Sequence, residues 1–260
     1  MNLGLAGKVA LVTGGSHGIG RSIALALAEE GCRVAIGART EVRVKETVEE
    51  IKNIGSRGLG VVGNLTEKLG VEKMLETTLE EFGSLHILVN NMGGGGRWGG
   101  DEAENEPEDT WRDVYNKNTV AATRFTTLAI PVMMSQGWGR VVTISSTNGI
   151  KGTGKPWFSV AKAAQIALMR SLAADRRFIR AGITFNTVAP GPVMIPDTGW
   201  DQARKDDPVG FEKMLMERFP MGRIGTPEEV AWAVVFLCST KASLINGVCL
   251  IADGGETRVF

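Results

Sequence analysis

The sequence predicts an α/β protein with one doubly wound parallel β-sheet of about seven strands and helices on both faces. Two observations lead to this prediction. Short apolar runs alternate with helical patterns of ten or more residues, as parallel strands and their crossovers require. No linker, repeat or change of composition divides the 260 residues, so we expect a single domain over residues 1–260.

The seven strands are predicted from short runs rich in Val, Ile and Leu, such as KVALVT near the N-terminus. Nearly continuous apolar runs are typical of strands that are buried on both faces of a sheet. The predicted strands cover residues 8–13, 33–37, 58–62, 85–90, 139–145, 183–188 and 248–251.

Helices are predicted where apolar residues recur with helical spacing, over residues 20–30, 41–54, 72–82, 107–136, 158–179 and 228–237. Two stretches interrupt the alternation. They are a glycine-rich, acidic loop at 93–109 and an insertion at 191–220 with a helical patch at 211–218. Because ligands bind beyond the carboxyl ends of parallel strands, we expect both to cover a site, with 191–220 as a substrate lid. The alternative is two exposed loops.

The composition argues against several classes of partner. The chain carries 29 basic and 29 acidic residues without a basic stripe, which argues against nucleic-acid binding. Three widely spaced cysteines and two histidines argue against a disulfide framework or a metal site and favour a reducing compartment. No apolar run near the N-terminus is long enough for a signal peptide or a membrane span. We therefore expect a soluble cytoplasmic protein with no membrane partner.

The segment TGGSHGIG joins the first predicted strand to the first predicted helix. Glycines at such a turn let the backbone approach a pyrophosphate, whose charge interacts favourably with the helix N-terminus. Similar turns also occur for packing alone, and the spacing here differs from the G-x-G-x-x-G fingerprint. The candidate cofactor contacts in this turn are Gly14, Ser16, His17, Gly18, Ile19 and Gly20.

Several motifs together resemble the short-chain dehydrogenase/reductase family. They are the glycine turn, Asn90-Asn91-Met92-Gly93, Asn118, Ser145, Lys162, Pro190-Gly191 and Asp253-Gly254-Gly255, and they span about residues 5–255. The resemblance implies a Rossmann-like sheet, a nicotinamide cofactor, a small-molecule substrate and a homotetramer paired through the helices at 107–136 and 158–179. It also implies cofactor contacts from Asn64, Leu65, Asn90, Asn91, Gly93, Lys162, Pro190, Gly191 and Val193.

The end of the second predicted strand bears on the choice of nicotinamide cofactor. An acidic residue there would bind the adenosine ribose hydroxyls and repel a 2′-phosphate. The sequence instead has Arg39 followed by Thr40, and a guanidinium suits that phosphate. We therefore favour NADP(H) over NAD(H); the alternative is that Arg39 is an exposed loop residue.

The resemblance places Asn118, Ser145, a tyrosine and Lys162 at the reacting carbon, but Phe158 stands where the tyrosine is expected. Phenylalanine has no proton to donate, and a positioned general acid typically contributes about 10²–10⁴-fold. Three explanations stay open: an engineered Tyr→Phe change, a natural atypical site, or a binding protein without turnover. Tyr115 is the only tyrosine in the chain, and a packing or interface role is the alternative to proton transfer.

The sequence therefore predicts an oxidoreductase that uses NADP(H) to interconvert a carbonyl and a secondary alcohol. We expect a small polar or cyclic substrate, with sugar-like compounds as one option. The alternative is a non-redox, cofactor-dependent binding or regulatory protein.

Overall fold

The computed structural model of the chain describes residues 1–258. Its strands are β1 (Val9–Thr13), β2 (Arg33–Ala38), β3 (Gly58–Val62), β4 (Ile87–Asn90), β5 (Gly139–Ile144), β6 (Ile183–Pro190) and β7 (Cys249–Ala252). All pair in parallel, in the order β3-β2-β1-β4-β5-β6-β7. The predicted seven-stranded parallel sheet is confirmed.

Eleven α-helices are formed within the described residues, and a π-helical segment joins two of them. They are α1 (Gly18–Glu29), α2 (Glu41–Asn53), α3 (Lys68–Phe82), α4 (Glu108–Tyr115), α5 (Ala121–Gln136), α6 (Asn148–Lys151), α7 (Pro156–Ala173), α8 (Arg176–Arg180), α9 (Gly199–Asp206), α10 (Pro208–Arg218) and α11 (Pro227–Cys238). The π-helical segment is Asn116–Val120, between α4 and α5.

Both faces of the sheet are buried because alternate side chains of each strand point to opposite sides. In β1, Ala10 and Val12 belong to the core beneath α1 and α11, which includes Ile23 and Val234. Val9 and Leu11 belong to the opposite core, where helices α3, α5 and α7 contribute Met74, Phe125 and Met169. This three-layer packing leaves the carboxyl ends of the strands at one edge, where the loops gather.

Two predicted helices differ from the structure. The helix predicted over 107–136 is interrupted by the π-helical segment, which adds a residue to one turn. The helix predicted over 158–179 ends earlier, at Ala173, because Asp175 caps a new helix by accepting a hydrogen bond from the Arg177 backbone N–H at 2.9 Å. The helical patch predicted at 211–218 lies within α10, and α9 precedes it.

The strand order changes direction between β1 and β4, which are adjacent in the sheet but separated in sequence by β2 and β3. A crevice forms at such a switch point, beyond the carboxyl ends of the strands. Within residues 1–258, no helix combines the length and apolarity needed to cross a bilayer, and no cluster of His, Cys, Asp or Glu side chains could hold a metal ion.

Candidate active site

A cleft of about 920 Å³ opens at the carboxyl ends of the strands, on both sides of the switch point. Every residue that the sequence suggested for the site lines this cleft, except Asn90 and Asn118. The lining residues are Gly14, Ser16, His17, Gly18, Ile19, Gly20, Arg39, Thr40, Asn64, Leu65, Asn91, Gly93, Ser145, Phe158, Lys162, Pro190, Gly191 and Val193. The fold thus gathers the glycine turn and the Ser145–Lys162 frame at one opening.

The glycine turn between β1 and α1 leaves room for a ligand along its backbone. Gly14 and Gly18 have φ angles of 65° and 53°, which favour glycine. At Gly20, a Cβ would lie 2.3 Å from the Asn91 amide nitrogen and from the Gly14 carbonyl oxygen. No side chain caps the first turn of α1, so its backbone N–H groups are available to an anion.

Asn91 and Thr13 fix this turn to the end of β4. The Asn91 side-chain amide donates to the carbonyl oxygens of Thr13 (2.9 Å) and Gly14 (3.1 Å). The Thr13 hydroxyl accepts hydrogen bonds from the backbone N–H groups of Asn91 and Met92, both at 3.0 Å. These hydrogen bonds hold the glycine turn after β1 against the segment that follows β4, on the two sides of the switch point.

Asn90 and Asn118 lie behind the cleft wall. The buried Asn90 amide donates to the hydroxyls of Thr126 (2.9 Å) and Thr143 (3.2 Å), so its side chain ties elements of the sheet interior together. The Asn118 amide donates to Gly94 O, and its oxygen accepts from the Gly94 N–H at 3.1 Å. Asn118 therefore fixes the start of the glycine loop. Its side-chain oxygen lies near the Lys162 ammonium, since a Cβ added at Gly93 would be 2.5 Å from that oxygen and 3.0 Å from the ammonium nitrogen.

Ser145 and Lys162 form the polar centre of the site. The Ser145 hydroxyl donates to the Lys162 carbonyl oxygen at 2.8 Å, which joins the end of β5 to α7. The Lys162 ammonium donates to the Ile144 carbonyl oxygen at 2.9 Å and is almost fully buried. Burial lowers the pKa of Lys162 to about 7, and the positive charge of Lys117 adds to this effect.

Gln165 connects Lys162 to Asn118, and the sequence analysis did not identify it. Its side-chain oxygen accepts from the Lys162 ammonium at 3.1 Å, and its amide donates to the Asn118 carbonyl oxygen at 3.0 Å. Gln165 therefore links the Lys162 ammonium to the backbone of Asn118. A polar residue three positions after Lys162 on an otherwise apolar helical stretch is the signal that could have revealed it.

Phe158 faces the cleft one helical turn before Lys162. The Lys162 ammonium lies 5.6 Å from the centroid of its ring. The ring also lies close to the backbone of Gly96, where an added Cβ would be 3.3 Å from the ring edge. Phe158 thus fills the position expected for a phenol without supplying an oxygen. Tyr115 does not line the cleft, and its side chain is exposed, so the geometry gives it no part in proton transfer.

The cleft carries more positive than negative side chains. Arg39, Arg43, Lys117 and Lys162 line it, with Asp113 as the one carboxylate among its lining residues. The sequence analysis singled out neither Arg43 nor Lys117. Desolvation lowers the pKa of Lys117, and repulsion from the positive charge of Arg39 lowers it further. The two cations are therefore close enough to act together on a ligand in the cleft. Their combined charge favours an anionic ligand.

The residues predicted to contact the adenosine part of the cofactor include His17, Asn64 and Leu65. They differ in how far their side chains are already engaged or buried within the protein. Burial lowers the pKa of His17, and Arg43 adds to the effect, so the imidazole is neutral at pH 7. The Asn64 side chain is engaged within its own loop, where its amide donates to Glu67 and its oxygen accepts from the Thr66 hydroxyl at 2.8 Å. Leu65 is buried beneath this loop.

The insertion at 191–220 lies against the glycine turn. A Cβ at Gly18 would meet Ile195 at 2.9 Å, and Arg43 pairs with Asp197 at 3.4 Å. Val193 forms a β-bridge with Gly225. In this bridge the Met194 N–H donates to the Gly225 carbonyl oxygen, and the Gly225 N–H donates to the Pro192 carbonyl oxygen. The N–H and carbonyl of Val193 itself therefore point away from Gly225, and Val193 lines the cleft.

The residues of the insertion form a small core of their own. Phe211, Leu215 and Phe219 pack together with Ile224, and Trp200 contacts this cluster while lining the cleft. Met214 also packs against this cluster, whereas Met216 is 72% exposed.

The glycine-rich loop at 93–109 covers the other side of the cleft. The buried Trp157 indole donates to the Trp98 carbonyl oxygen at 3.0 Å, and Lys155 pairs with Asp101 at 2.5 Å. The Lys117 ammonium lies 4.4 Å from the centroid of the Trp98 ring. These contacts hold the loop over the entrance near Phe158.

Comparisons with known proteins show what the whole chain is similar to. Residues 14–257 match the family model described as Enoyl-(Acyl carrier protein) reductase. The chain is 36% identical to the 3-oxoacyl-(acyl-carrier-protein) reductase FabG of Salmonella typhimurium over 254 residues, which cover 97% of this chain and 98% of that protein.

Two solved structures are similar over nearly the full length. L-sorbose reductase from Gluconobacter frateurii, complexed with NADPH and L-sorbose, has a TM-score of 0.91 at 30% identity and covers 100% of both chains. A 7α-hydroxysteroid dehydrogenase complexed with NADH and a 7-oxo bile acid has a TM-score of 0.87 at 28% identity, covering 99% of this chain and 97% of that one. Similar proteins therefore bind either nicotinamide cofactor.

Proposed function

Because the chain belongs to the short-chain dehydrogenase/reductase family of oxidoreductases, we propose that it binds NADP(H) and interconverts a carbonyl with a secondary alcohol on a small polar substrate. The observation that carries this proposal is the shared cleft. The open glycine turn, with its uncapped helix, and the buried Ser145–Lys162 pair line the same cavity.

The residues present fit a nicotinamide dinucleotide. Gly14 and Gly18 line the cleft beside the uncapped first turn of α1, where backbone without side chains can lie close to a pyrophosphate. Arg39 and Arg43 line the adenosine end, where the 2′-phosphate of NADP(H) would lie. When bound, the reduced cofactor supplies the hydride.

The chain itself would position the carbonyl and stabilise its oxygen. We assign the substrate oxygen to Ser145, whose hydroxyl would turn from the Lys162 carbonyl toward the ligand. Lys162, held by Ile144 and Gln165, would bind the ribose hydroxyls of the cofactor and stabilise developing negative charge. Phe158 keeps the slot filled but moves no proton, so we expect turnover of this chain to be slow.

The substrate lid, the oligomer and the compartment are further parts of this proposal. The insertion at 191–220 acts as the lid, supported by its contacts with the glycine turn and by Trp200 in the cleft wall. A homotetramer is supported by exposed apolar side chains on α5, α7 and α11. The free cysteines Cys32, Cys238 and Cys249 are consistent with a reducing cytoplasm.

The second candidate function is cofactor-dependent binding without redox turnover, and the missing phenol at Phe158 is the observation in its favour. The test that separates the two candidates is NADPH oxidation, monitored by the loss of NADPH absorbance, with and without an added carbonyl compound. Turnover that requires both components supports the oxidoreductase. Saturable NADPH binding with no turnover, even when Phe158 is changed to Tyr, supports the binding protein.

The cofactor assignment predicts a selective effect at Arg39. We expect Arg39→Ala to weaken NADPH binding by about 10-fold or more and to change NADH binding little, because only NADPH carries the 2′-phosphate. Calorimetric titration with each cofactor measures this, with the exposed Lys45→Ala on α2 as a control. An equal loss for both cofactors would contradict the assignment of Arg39 to that phosphate.

A further inference from the structure

An open cavity of about 660 Å³ lies between the glycine-rich loop and the insertion. Residues 95–98 of the loop form one wall, and the other wall consists of Asp197, Thr198, Gly199, Gln202 and Lys205 of the insertion. Trp98 and Thr198 also line the main cleft. The cavity therefore adjoins the cleft where the loop and the insertion face each other.

Gly96 connects this cavity to the reacting end of the cleft. It lines the cavity, and a Cβ added there would be 3.3 Å from the Phe158 ring. Phe158 and Ser145 both line the cleft. Because Gly96 carries no side chain, a substrate whose carbonyl lies at Ser145 can extend past it into the cavity.

Arg97 supplies the unpaired charge of this cavity. It is exposed, and none of the ion pairs formed within residues 1–258 includes it. The other charged residues of the walls have partners, since Lys205 pairs with Asp201 at 2.7 Å and Asp197 pairs with Arg43 at 3.4 Å. The cavity thus presents one positive charge that a ligand can reach and neutralise.

Gly199 determines where the Arg97 guanidinium can lie. A Cβ added at Gly199 would be 1.1 Å from the Nη1 atom of Arg97 and 2.0 Å from its Nη2 atom. The guanidinium therefore occupies the space that a side chain at residue 199 would need. This contact joins the loop to the insertion and limits the positions that the guanidinium can take.

The charge and shape of the guanidinium select the group that it would bind. Its planar fork can donate two parallel hydrogen bonds to a carboxylate. One unpaired cation balances one negative charge, which favours a carboxylate over a phosphate dianion. A neutral group would leave the charge of Arg97 uncompensated and would gain no ion pair.

We propose, building on the function proposed above, that this cavity binds a carboxylate of the substrate and that Arg97 holds it by paired hydrogen bonds. The substrates are then oxo acids and the corresponding hydroxy acids, with the carbonyl or hydroxyl at Ser145 and the carboxylate at Arg97. Arg97 is a specificity-determining residue that touches the substrate away from the reacting carbon.

The test uses the full chain saturated with NADP⁺, which cannot reduce a ketone, and measures binding by ligand-observed NMR titration. The probes are four methyl ketones with a terminal carboxylate, from 4-oxopentanoate to 7-oxooctanoate, each compared with its methyl ester. The series varies the separation of carbonyl and carboxylate, and the ester keeps the chain but removes the charge. We expect at least one acid to bind about 5-fold or more tightly than its ester.

Arg97→Gln should weaken binding of that acid by about 5-fold or more and leave its ester unchanged, because the amide keeps hydrogen-bonding groups but has no charge. Arg180→Gln, at the exposed end of α8, is the matched control and should change neither ligand. NADP⁺ binding and the melting temperature report whether each variant is folded.

Gly199→Ala tests the geometry without removing the charge. Alanine is favourable in a helix, and the added methyl group must displace the guanidinium. We expect weaker binding of the acid, and we expect the double variant with Arg97→Gln to bind it no more weakly than Arg97→Gln alone. Additive losses would overturn the placement of the guanidinium by Gly199.

The outcomes distinguish this inference from the proposed function. Equal binding of acid and ester at all four lengths, no binding of any acid, or an equal effect of Arg97→Gln on acid and ester would overturn the role of Arg97. NADP⁺ binding would then leave the oxidoreductase proposal standing. Failure of the unchanged chain to bind NADP⁺ would overturn the proposed function, and this inference would fail with it.

Discussion

Lys162 bears the largest electrostatic cost in the candidate site. Its ammonium is almost fully buried, and its hydrogen-bond partners among residues 1–258 are the neutral oxygens of Ile144 and Gln165. Desolvation therefore lowers its pKa to about 7. A group that binds cofactor and polarises substrate can require such a charge even though it destabilises the fold.

This burial predicts a specific dependence of stability on pH. Between about pH 7 and pH 10.5, unfolded Lys162 binds a proton that the folded protein does not, so the free energy of unfolding rises with pH over this window. The cost is fully present below pH 7. Relative to Lys162→Met, the unchanged protein should gain about 1–3 kcal/mol between pH 7 and pH 9.5.

Urea unfolding of both proteins at these two pH values measures the difference. Lys213→Met, which removes an exposed lysine from α10, is the control and should follow the unchanged protein at both pH values. If Lys162→Met also stays parallel to the unchanged protein, the ammonium is not desolvated as the geometry implies.

Single residues also show what sequence reasoning could reach. Ser145 and Lys162 were found because their spacing follows a motif, and they meet in the cleft. Gln165 and Arg43 belong to no recognised motif. Their positions in the site depend on tertiary contacts, which the sequence alone does not show. Gln165 gains its position from the π-helical segment that brings Asn118 to it, and neither partner predicts that bend.

At the scale of elements, the insertion at 191–220 is the part of the fold that the sequence described least well. Its second half read as helical, but α9 is short and strongly polar and has too few apolar residues to be predicted as a helix. The helix becomes stable through Trp200, which packs its ring against Phe211 and Phe219. Such an element depends on tertiary packing more than on local propensity.

The lid proposal predicts that cofactor protects this insertion. Arg43 and Asp197 join α2 to the insertion through an exposed ion pair, which is a weak link in the absence of a ligand. We expect saturating NADPH to slow trypsin cleavage within residues 199–218 by several-fold, because ligand binding disfavours local opening. Cleavage at Lys241, outside the insertion, is the internal control. Equal rates with and without NADPH would contradict a lid role.

At the scale of the whole molecule, two sets of exposed apolar residues lie on long helices. On α5 and α7 they are Leu128, Met134 and Val160, which are 36%, 39% and 51% exposed. On α11 they are Trp232 and Phe236, which are 46% and 40% exposed and lie one turn apart. A tetramer with dihedral symmetry requires at least two kinds of self-complementary contact, and the two sets could supply them.

The homotetramer proposal predicts that each surface can be disrupted separately. Val160→Arg on α7 and Trp232→Arg on α11 should each reduce the tetramer to dimers, since either change places a charge in a buried contact. Light scattering coupled to size exclusion gives the masses. Val209→Arg, at an 82% exposed position on α10, is the control and should remain tetrameric. A monomeric unchanged protein would contradict the proposal.

The overall architecture was the most predictable feature because its signals are repeated along the whole chain. Buried strands such as β1 and β5 read as apolar runs, and the glycine turn that begins at Thr13 marks the end of β1. The grouping of Lys151, Arg218 and Glu256 could not be predicted, since these residues come from three distant segments. Only the folded chain brings their charges together.

The central claim is that this cleft is a complete carbonyl-reducing site apart from the proton donor at Phe158. The most direct measurement is kcat/KM for NADPH-dependent reduction of a carbonyl panel by the unchanged protein and by Phe158→Tyr. We expect the tyrosine variant to be faster by about 10²-fold or more, and the gain to be lost when Ser145→Ala is added. No gain with a folded, NADPH-binding Phe158→Tyr protein, on any compound that the unchanged protein reduces, would contradict the claim.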